Sequence, residues 1–453
     1  MAASNTNSEI IPQKIAVVGT GIAGLSAAWL LSKKHEVTIY EKENRLGGHS
    51  NTVDVTSEGG CIPIDTGFIV YNEPNYPNLT ALFDLLNVTT SPSNMSFAVS
   101  INRGKVEYAG NFGGLFARPL NAISPRFWKM VTDIRRFYSE TPDLLGQAEI
   151  AHLSLGEYLE ANNYSETFVR DHLLPMGAAI WSSPSDQMRN FPLEAFLRFY
   201  VNHALLKFGE RPDWRTVVGG SRSYVARLRS NMSSTVKSGC GITSVRRTPV
   251  GSVITDQFGR KDKVDAVVLA THADQALSIL IDADQAERSL LQQFKYSKNH
   301  AVLHTDSTLM PKRRRAWSSW NYVREHDVED NSVCVTYWMN RLQRLDTEKN
   351  YFVTLNPSRE PHPGSIEAEF EYDHPMFDQS ALSAQQKISQ LQGVRNTWFC
   401  GSYFGYGFHE DALQAGLAVA EDIGGVRRPW NVANESGRIY LRPPQEQTLE
   451  RAA

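Results

Sequence analysis

The sequence predicts an α/β chain in which a Rossmann-like nucleotide-binding domain is interleaved with a second, α+β domain. Three observations carry that expectation. Near the start, an apolar, β-branched run at 15–18 meets Gly19, Gly21 and Gly24, and an apolar pattern of helical period follows, so strand, tight turn and helix succeed one another. A second strand pattern at 36–40 ends at Glu41, about 22 residues after Gly19, where the acidic partner of an adenosine ribose belongs. Far downstream, 265–273 is a nearly continuous apolar run, the composition of a buried parallel strand, so the nucleotide domain resumes after a long insertion.

Each part of the first unit has a physical task. Gly19 lets the chain turn sharply, Gly21 lets the backbone approach a pyrophosphate, and Gly24 lets the new helix pack close to the strand. The first helical amides, from Ile22 and Ala23, and the helix dipole then face phosphate charge. A carboxylate at Glu41 accepts hydrogen bonds from ribose hydroxyls and repels a 2'-phosphate, which disfavours NADP. Downstream, Arg45-Leu46-Gly47-Gly48 pairs a cation able to neutralise pyrophosphate with glycines that admit a flat ring system.

With 453 residues the chain is long enough for two domains. A formal net charge of -3 argues against a nucleic-acid partner. The basic run Lys312-Arg313-Arg314-Arg315 reads as a solvated face. Cys61, Cys240, Cys334 and Cys400 have neither metal-ligand nor disulfide spacing and read as buried small residues in a reducing compartment; no metal site is expected. Without a signal-peptide pattern or a membrane-length apolar run, the expected location is cytoplasmic.

From about 79 to 214 the spacing turns helical, as in Leu79-x-x-Leu82-Phe83-x-x-Leu86 and Phe196-x-x-Phe199-Tyr200-x-x-His203. Most of these aromatics fill a core, with a minority facing a cleft; Arg198, His203 and Lys207 form no strongly basic face that would lay 193–208 on a membrane. Between about 291 and 395, alternating runs such as 301–305 and 333–339 predict antiparallel strands roofing the cleft, with His304 a polar residue in an apolar strand. The closing stretch 398–416 reads as strand, glycine-rich loop and helix, a geometry that brings amides and a helix N-terminus to a ligand.

Gly19-x-Gly21-x-x-Gly24 followed by Glu41-x-x-x-Arg45-x-Gly47-Gly48 resembles the FAD signature of the flavin amine oxidase, protoporphyrinogen oxidase and phytoene desaturase superfamily, and Asp65-Thr66-Gly67 resembles its Asp-x-Gly strand. Asp65-Thr66-Gly67-Phe68-Ile69-Val70-Tyr71-Asn72, His304-Thr305-Asp306 and Trp317-Ser318-Ser319-Trp320-Asn321-Tyr322 are similar to one branch, the FAD-dependent amine-oxidase-like proteins associated with cyclopropane fatty acid synthases. The resemblance implies a Rossmann-like FAD-binding domain (GR2-type) made of 12–80, 215–290 and 395–430. It implies an α+β substrate-binding domain made of 81–214 and 291–394, with polar tails at 1–11 and 431–453.

It further implies an FAD contact set of Gly19, Gly21, Ile22, Ala23, Gly24, Glu41, Lys42, Arg45, Gly47, Gly48, His49, Thr66, Gly67, Val236, Gly401, Ser402, His409 and Ala412. In that set Val236 holds adenine and His409 meets a flavin carbonyl, both through backbone. Phe408 takes one position of the aromatic pair that amine oxidases place before the flavin. Cys400 sits on the strand before the loop and not where a flavin-tethering cysteine would be, so the FAD is expected to be non-covalent. The implied activity is hydride transfer to flavin N5 from a hydrophobic small molecule, an acyl chain, polyene or amine, with molecular oxygen or another electron acceptor. Tyr71, His304, Tyr403 and His409 are the candidate proton donors or substrate-orienting groups. A flavin-dependent double-bond isomerase and a non-catalytic FAD-bound partner of a lipid-modifying enzyme stay open, as does the oligomeric state.

Overall fold

A computed structural model describes residues 11–57, 59–150, 152–181, 185–207, 212–325 and 334–442. Phe208, Val333 and the outer ends of both tails, named above, lie outside the described residues.

The nucleotide unit is built on a five-stranded sheet. Its strand order is Thr235–Lys237, Glu36–Tyr40, Lys14–Val18, Ala266–Leu269, Thr397–Phe399, and every neighbouring pair runs parallel. Strands from three distant parts of the chain therefore lie side by side, with Val17 facing both Ile39 and Val268. Parallel strands need crossovers and cover on both faces, which is why these read as apolar runs without alternation. The helix Ile22–Leu31 is buried along its whole length between this sheet and the helix His409–Ile423.

A seven-stranded mixed sheet forms the other half. Its order is Ile366–Met376, Lys295–His304, Phe352–Leu355, Val335–Trp338, Trp320–Arg324, Phe97–Ile101, Val106–Ala109. The antiparallel strands expected between 291 and 395 are present. The sheet also takes in Phe97–Ile101, parallel to Trp320–Arg324, and Val106–Ala109, inside a stretch whose spacing reads as helical. Four of the five residues of Phe97–Ile101 are buried, so the strand shows no polar alternation to announce it. The helices Pro125–Glu140, Leu174–Trp181 and Leu193–Asn202 pack with this sheet into a second core.

Two local expectations change. Cys61 is exposed on a hairpin strand, unlike the buried Cys240, Cys334 and Cys400. The basic run is not simply solvated. Arg313 pairs at 3.2 Å with the fully buried Glu107, which also accepts the amides of Lys312 and Arg313, and the Arg314 guanidinium lies 3.7 Å from the Trp317 ring centre.

Candidate functional site

The carboxyl ends of the parallel strands converge on the first glycine turn, the place where open α/β sheets bind nucleotides. Gly19 has φ +104°, and a Cβ there would lie 2.7 Å from the carbonyl oxygen of Ala270 on the next strand. A Cβ on Gly24 would come within 2.0 Å of the Gly19 carbonyl oxygen. Gly21 is different: a Cβ there meets no protein atom within 4 Å, so the turn faces open space. No side chain caps the helix that follows, which leaves the amides around Ile22 and Ala23 for a ligand. An open cradle in front of uncapped amides fits a pyrophosphate.

Glu41 is buried beside this turn. Its carboxylate accepts the Thr20 amide at 3.0 Å, the Thr20 hydroxyl and the Glu43 amide at 3.0 Å. The Glu41 amide donates to the Lys237 carbonyl at 2.9 Å, which sets Val236 on the strand adjoining Glu41. Lys42 and Arg45 are exposed, and Arg45 Nη1 donates to the Gly48 carbonyl at 2.7 Å. The Gly47 amide donates to the Thr20 carbonyl at 3.1 Å, and Gly48 sits so close that its Cβ would be 3.1 Å from Gly21 Cα. The two glycine motifs, separated in sequence, form one surface.

The next motif closes onto it. A Cβ on Gly67 would be 2.2 Å from the His49 carbonyl oxygen, which also accepts the Phe68 amide at 2.8 Å. The Thr66 hydroxyl shares a hydrogen bond of 2.7 Å with Tyr372, and Asp65 anchors the segment by accepting from Thr52, Ser221 and Gln343. Burial pushes the Asp65 carboxyl up to about 6 against those hydrogen bonds. Gly401 and Ser402 follow the strand Thr397–Phe399 at the same sheet edge, and Ala412 lies in the first turn of the last helix.

The four candidate proton-handling residues occupy different settings. His409 stacks on Phe68 at 3.8 Å and bonds Tyr224 at 2.7 Å and Ser50 at 3.2 Å; burial drives its pKa down to about 3. Tyr71 packs edge-on to Tyr76 and Phe83, and Phe83 in turn reaches Tyr224. His304 is wholly buried in the wide sheet. Its Nδ1 accepts the Asp306 amide at 3.1 Å, so Nε2 carries the hydrogen and donates to Thr354 Oγ1 at 2.7 Å. The Tyr403 ring lies in the nucleotide core against Phe294 and Phe404, and burial raises its pKa strongly.

Other groups at the site had no spacing signal. Tyr372 and His374 share the strand Ile366–Met376, Asn299 lies on Lys295–His304 and His272 follows Ala266–Leu269, so the group meets only through tertiary pairing. Phe408, at the start of the last helix, stacks on Phe199 at 4.9 Å, and Phe199 lies edge-on to Tyr406 at 6.3 Å; this aromatic wall borders the glycine-rich loop. His203 joins it, stacked on Phe199 at 3.9 Å.

No helix among the described residues is long and apolar enough to cross a membrane, and no group of His, Cys, Asp or Glu among them could hold a metal ion.

Comparison with known proteins agrees with this geometry. Wild-type putrescine oxidase bound to putrescine superposes with a TM-score of 0.66 at 16% identity, covering 91% of this chain and 99% of that one. A fatty acid isomerase from P. acnes that produces CLA superposes with a TM-score of 0.63 at 17% identity, covering 89% and 97%. These likenesses establish the fold. The carotenoid phi-ring synthase of Chlorobaculum tepidum is 30% identical over 139 residues, 29% of this chain and 21% of that protein. The chain spans less than a quarter of the length of the curated relatives it matches. Residues 22–424, which run from the nucleotide helix to the end of the last helix, match the flavin containing amine oxidoreductase family. The chain belongs to that family.

Proposed function

We propose that the chain oxidises a hydrophobic small molecule, an acyl chain, polyene or amine, in a dry cleft beside a non-covalently held FAD, with molecular oxygen or another acceptor taking the electrons. The observation that carries this reading is the aromatic wall of Phe199, Tyr406 and Phe408 at the mouth of the loop that leads into the last helix. Such a wall excludes water and favours an apolar partner.

The chain's own groups have distinct parts. The glycine turn and the amides at Ile22 and Ala23 seat the pyrophosphate, Glu41 holds the ribose, and the Arg45 guanidinium adds opposite charge. Gly47, Gly48 and Gly67 let the loop after Glu41 and the strand ending at Asp65 close tightly against the glycine turn and the His49 carbonyl, which shapes the surface a flat ring would meet. The start of the helix His409–Ile423 presents amides that favour negative charge. When bound, the flavin supplies a hydride acceptor at N5. Non-covalent binding is supported by Cys400, which is fully buried in the nucleotide core with its thiol pushed up by that burial. A cytoplasmic location is part of the same proposal.

The test is the absorbance of the purified protein, followed by anaerobic exposure to long-chain acyl compounds, polyenes and amines. Bands near about 370 and 450 nm, bleached by one of these classes, support oxidation. Turnover only after chemical reduction of the flavin would replace it with double-bond isomerisation; the P. acnes neighbour is named a fatty acid isomerase. Flavin bands with no response across the panel would favour the non-catalytic partner role.

A further inference from the structure

A cluster of imidazoles sits where the two halves of the molecule meet. His49 follows the paired glycines, His272 follows the strand Ala266–Leu269, and His374 lies on Ile366–Met376 of the wide sheet. The His49 ring centre is 5.5 Å from that of His374, 6.4 Å from His272 and 5.1 Å from Tyr372. His272 stacks on Tyr296 at 4.4 Å. Burial keeps the three imidazoles neutral, with His374 driven down to about 4. His49 Nε2 and His272 Nδ1 are buried without a hydrogen-bond partner among the described residues. A buried polar atom left unpaired is destabilising, so two in one place mark a surface shaped to meet a polar ligand.

The protonation pattern of His374 follows from a chain of hydrogen bonds that begins at the backbone. The His300 amide can only donate, so Asn356 Oδ1 accepts it at 2.9 Å. Asn356 Nδ2 therefore donates to Asn299 Oδ1 at 2.9 Å, which turns Asn299 Nδ2, a donor only, towards the Ser297 carbonyl at 3.0 Å, Ser297 Oγ at 3.2 Å and His374 Nδ1 at 3.3 Å. Since Nδ1 accepts, the ring hydrogen of neutral His374 is on Nε2. Among the described residues the His374 ring is hydrogen-bonded at Nδ1, which leaves its Nε2–H for solvent or a ligand. The His300 amide, acting through Asn356, and the Ser297 carbonyl thus fix the Asn299 amide, which in turn sets which edge of an imidazole is a donor at the domain boundary.

We propose that His374 presents its Nε2–H to the bound flavin, and that Asn299 and Asn356 are positioning residues whose relay fixes this tautomer; the inference rests on the oxidoreductase reading above. A fixed donor favours negative charge arriving in front of it, whereas the opposite tautomer would present a lone pair and oppose that charge. Asn299 and Asn356 act only through His374.

The experiment has two readouts that separate the relay from the flavin. In protein labelled with nitrogen-15 at histidine, the His374 signals, assigned by their loss in His374→Gln, should report a neutral Nε2–H ring at pH 7, and Asn299→Leu should convert it to a mixture of tautomers. In substrate-free protein, His374→Leu should lower the flavin's equilibrium constant for two-electron reduction about tenfold, roughly 30 mV, while His374→Gln, which keeps an N–H donor, should recover most of the loss. Circular dichroism checks that each variant is folded. An Nδ1–H ring, or a signal indifferent to Asn299→Leu, overturns the relay. The stated tautomer with an unmoved potential in His374→Leu overturns the contact with flavin. Protein that carries and takes up no flavin overturns the oxidoreductase reading and the donor role together, while the histidine spectrum still judges the relay by itself.

Discussion

A Cβ on Gly416 would lie 2.2 Å from the carbonyl oxygen of Ala23, so the last helix and the nucleotide helix meet backbone to backbone. The expected consequence of Gly416→Ala is separation of the two helices. Overpacking at such a contact costs about 1–3 kcal/mol, to be read as a lower midpoint in urea, with weaker FAD retention because the loop before the helix moves with it. An unchanged midpoint would mean that the helices are not in this contact.

Gly21→Val makes the opposite split. The space in front of Gly21 contains no protein atom within 4 Å, and its φ of -59° suits any residue. The variant should fold with a thermal midpoint close to that of the parent and carry no flavin. Normal flavin content would remove the pyrophosphate from this turn.

Glu41→Gln keeps the size of the side chain and removes its charge. Hydrogen bonds to a charged group contribute about 1.5–3 kcal/mol, so FAD should bind roughly ten- to a hundredfold more weakly in a titration of the stripped protein. Equal affinity would argue against the ribose role.

His304→Ala should act on stability. Removing the ring strips a partner from Thr354 and from the Asp306 amide inside the sheet, a loss of about 2–4 kcal/mol by denaturant titration. Unchanged stability combined with lost turnover would return His304 to the chemistry.

The buried imidazoles make the fold acid-sensitive. His203 and His409 are driven down to about 3, His304 and His374 to about 4, and His49 and His272 are also lowered, all chiefly by burial. The unfolded chain takes up protons near about 6.5, before the folded chain does, so this stability is fully present above that pH and is lost as pH falls through the folded values. Each group contributes up to about 1.4 kcal/mol per pH unit across its window. Asp65, Glu410 and Asp411 work in the other direction, because burial raises them and the folded state gains their protons first. With six imidazoles against three carboxyls, the thermal midpoint should fall between pH 7 and pH 5. A midpoint that rose over that range would contradict the assignment of these rings as neutral.

The nucleotide unit was legible because its signals are local: Gly19, Gly21 and Gly24 sit within one turn, and Glu41 ends the next strand. The wide sheet was half legible. Ile366–Met376 begins with an alternating pattern, but Val335–Trp338, Phe352–Leu355 and Phe97–Ile101 are buried almost throughout, and Phe97–Ile101 pairs with Trp320–Arg324 across more than 200 positions, a partnership no window of sequence displays. The site divides in the same way. The glycine surfaces could be read from spacing, whereas His374 acquires its meaning from Asn299 and Asn356, which reach it only through strand register. The C-terminal segment reads as polar by composition. It is nonetheless tied to the body by Glu435, whose carbonyl accepts from Arg428 and Asn78, and by Arg438, which donates to Asp411, Gln414 and Asn75.

The side-by-side placement of Lys14–Val18, Ala266–Leu269 and Thr397–Phe399 also governs how the protein is made. A ribosome that has emitted the glycine turn has not yet produced the strand or the helix that cover it. The glycine turn can therefore be covered only after the segment from Thr397 to Ile423 has emerged. Non-local parallel pairing of this kind forms slowly and exposes apolar strands in the meantime. A dinucleotide held on this surface would tie together segments that lie far apart along the chain, so its binding would favour the paired sheet over partly folded forms.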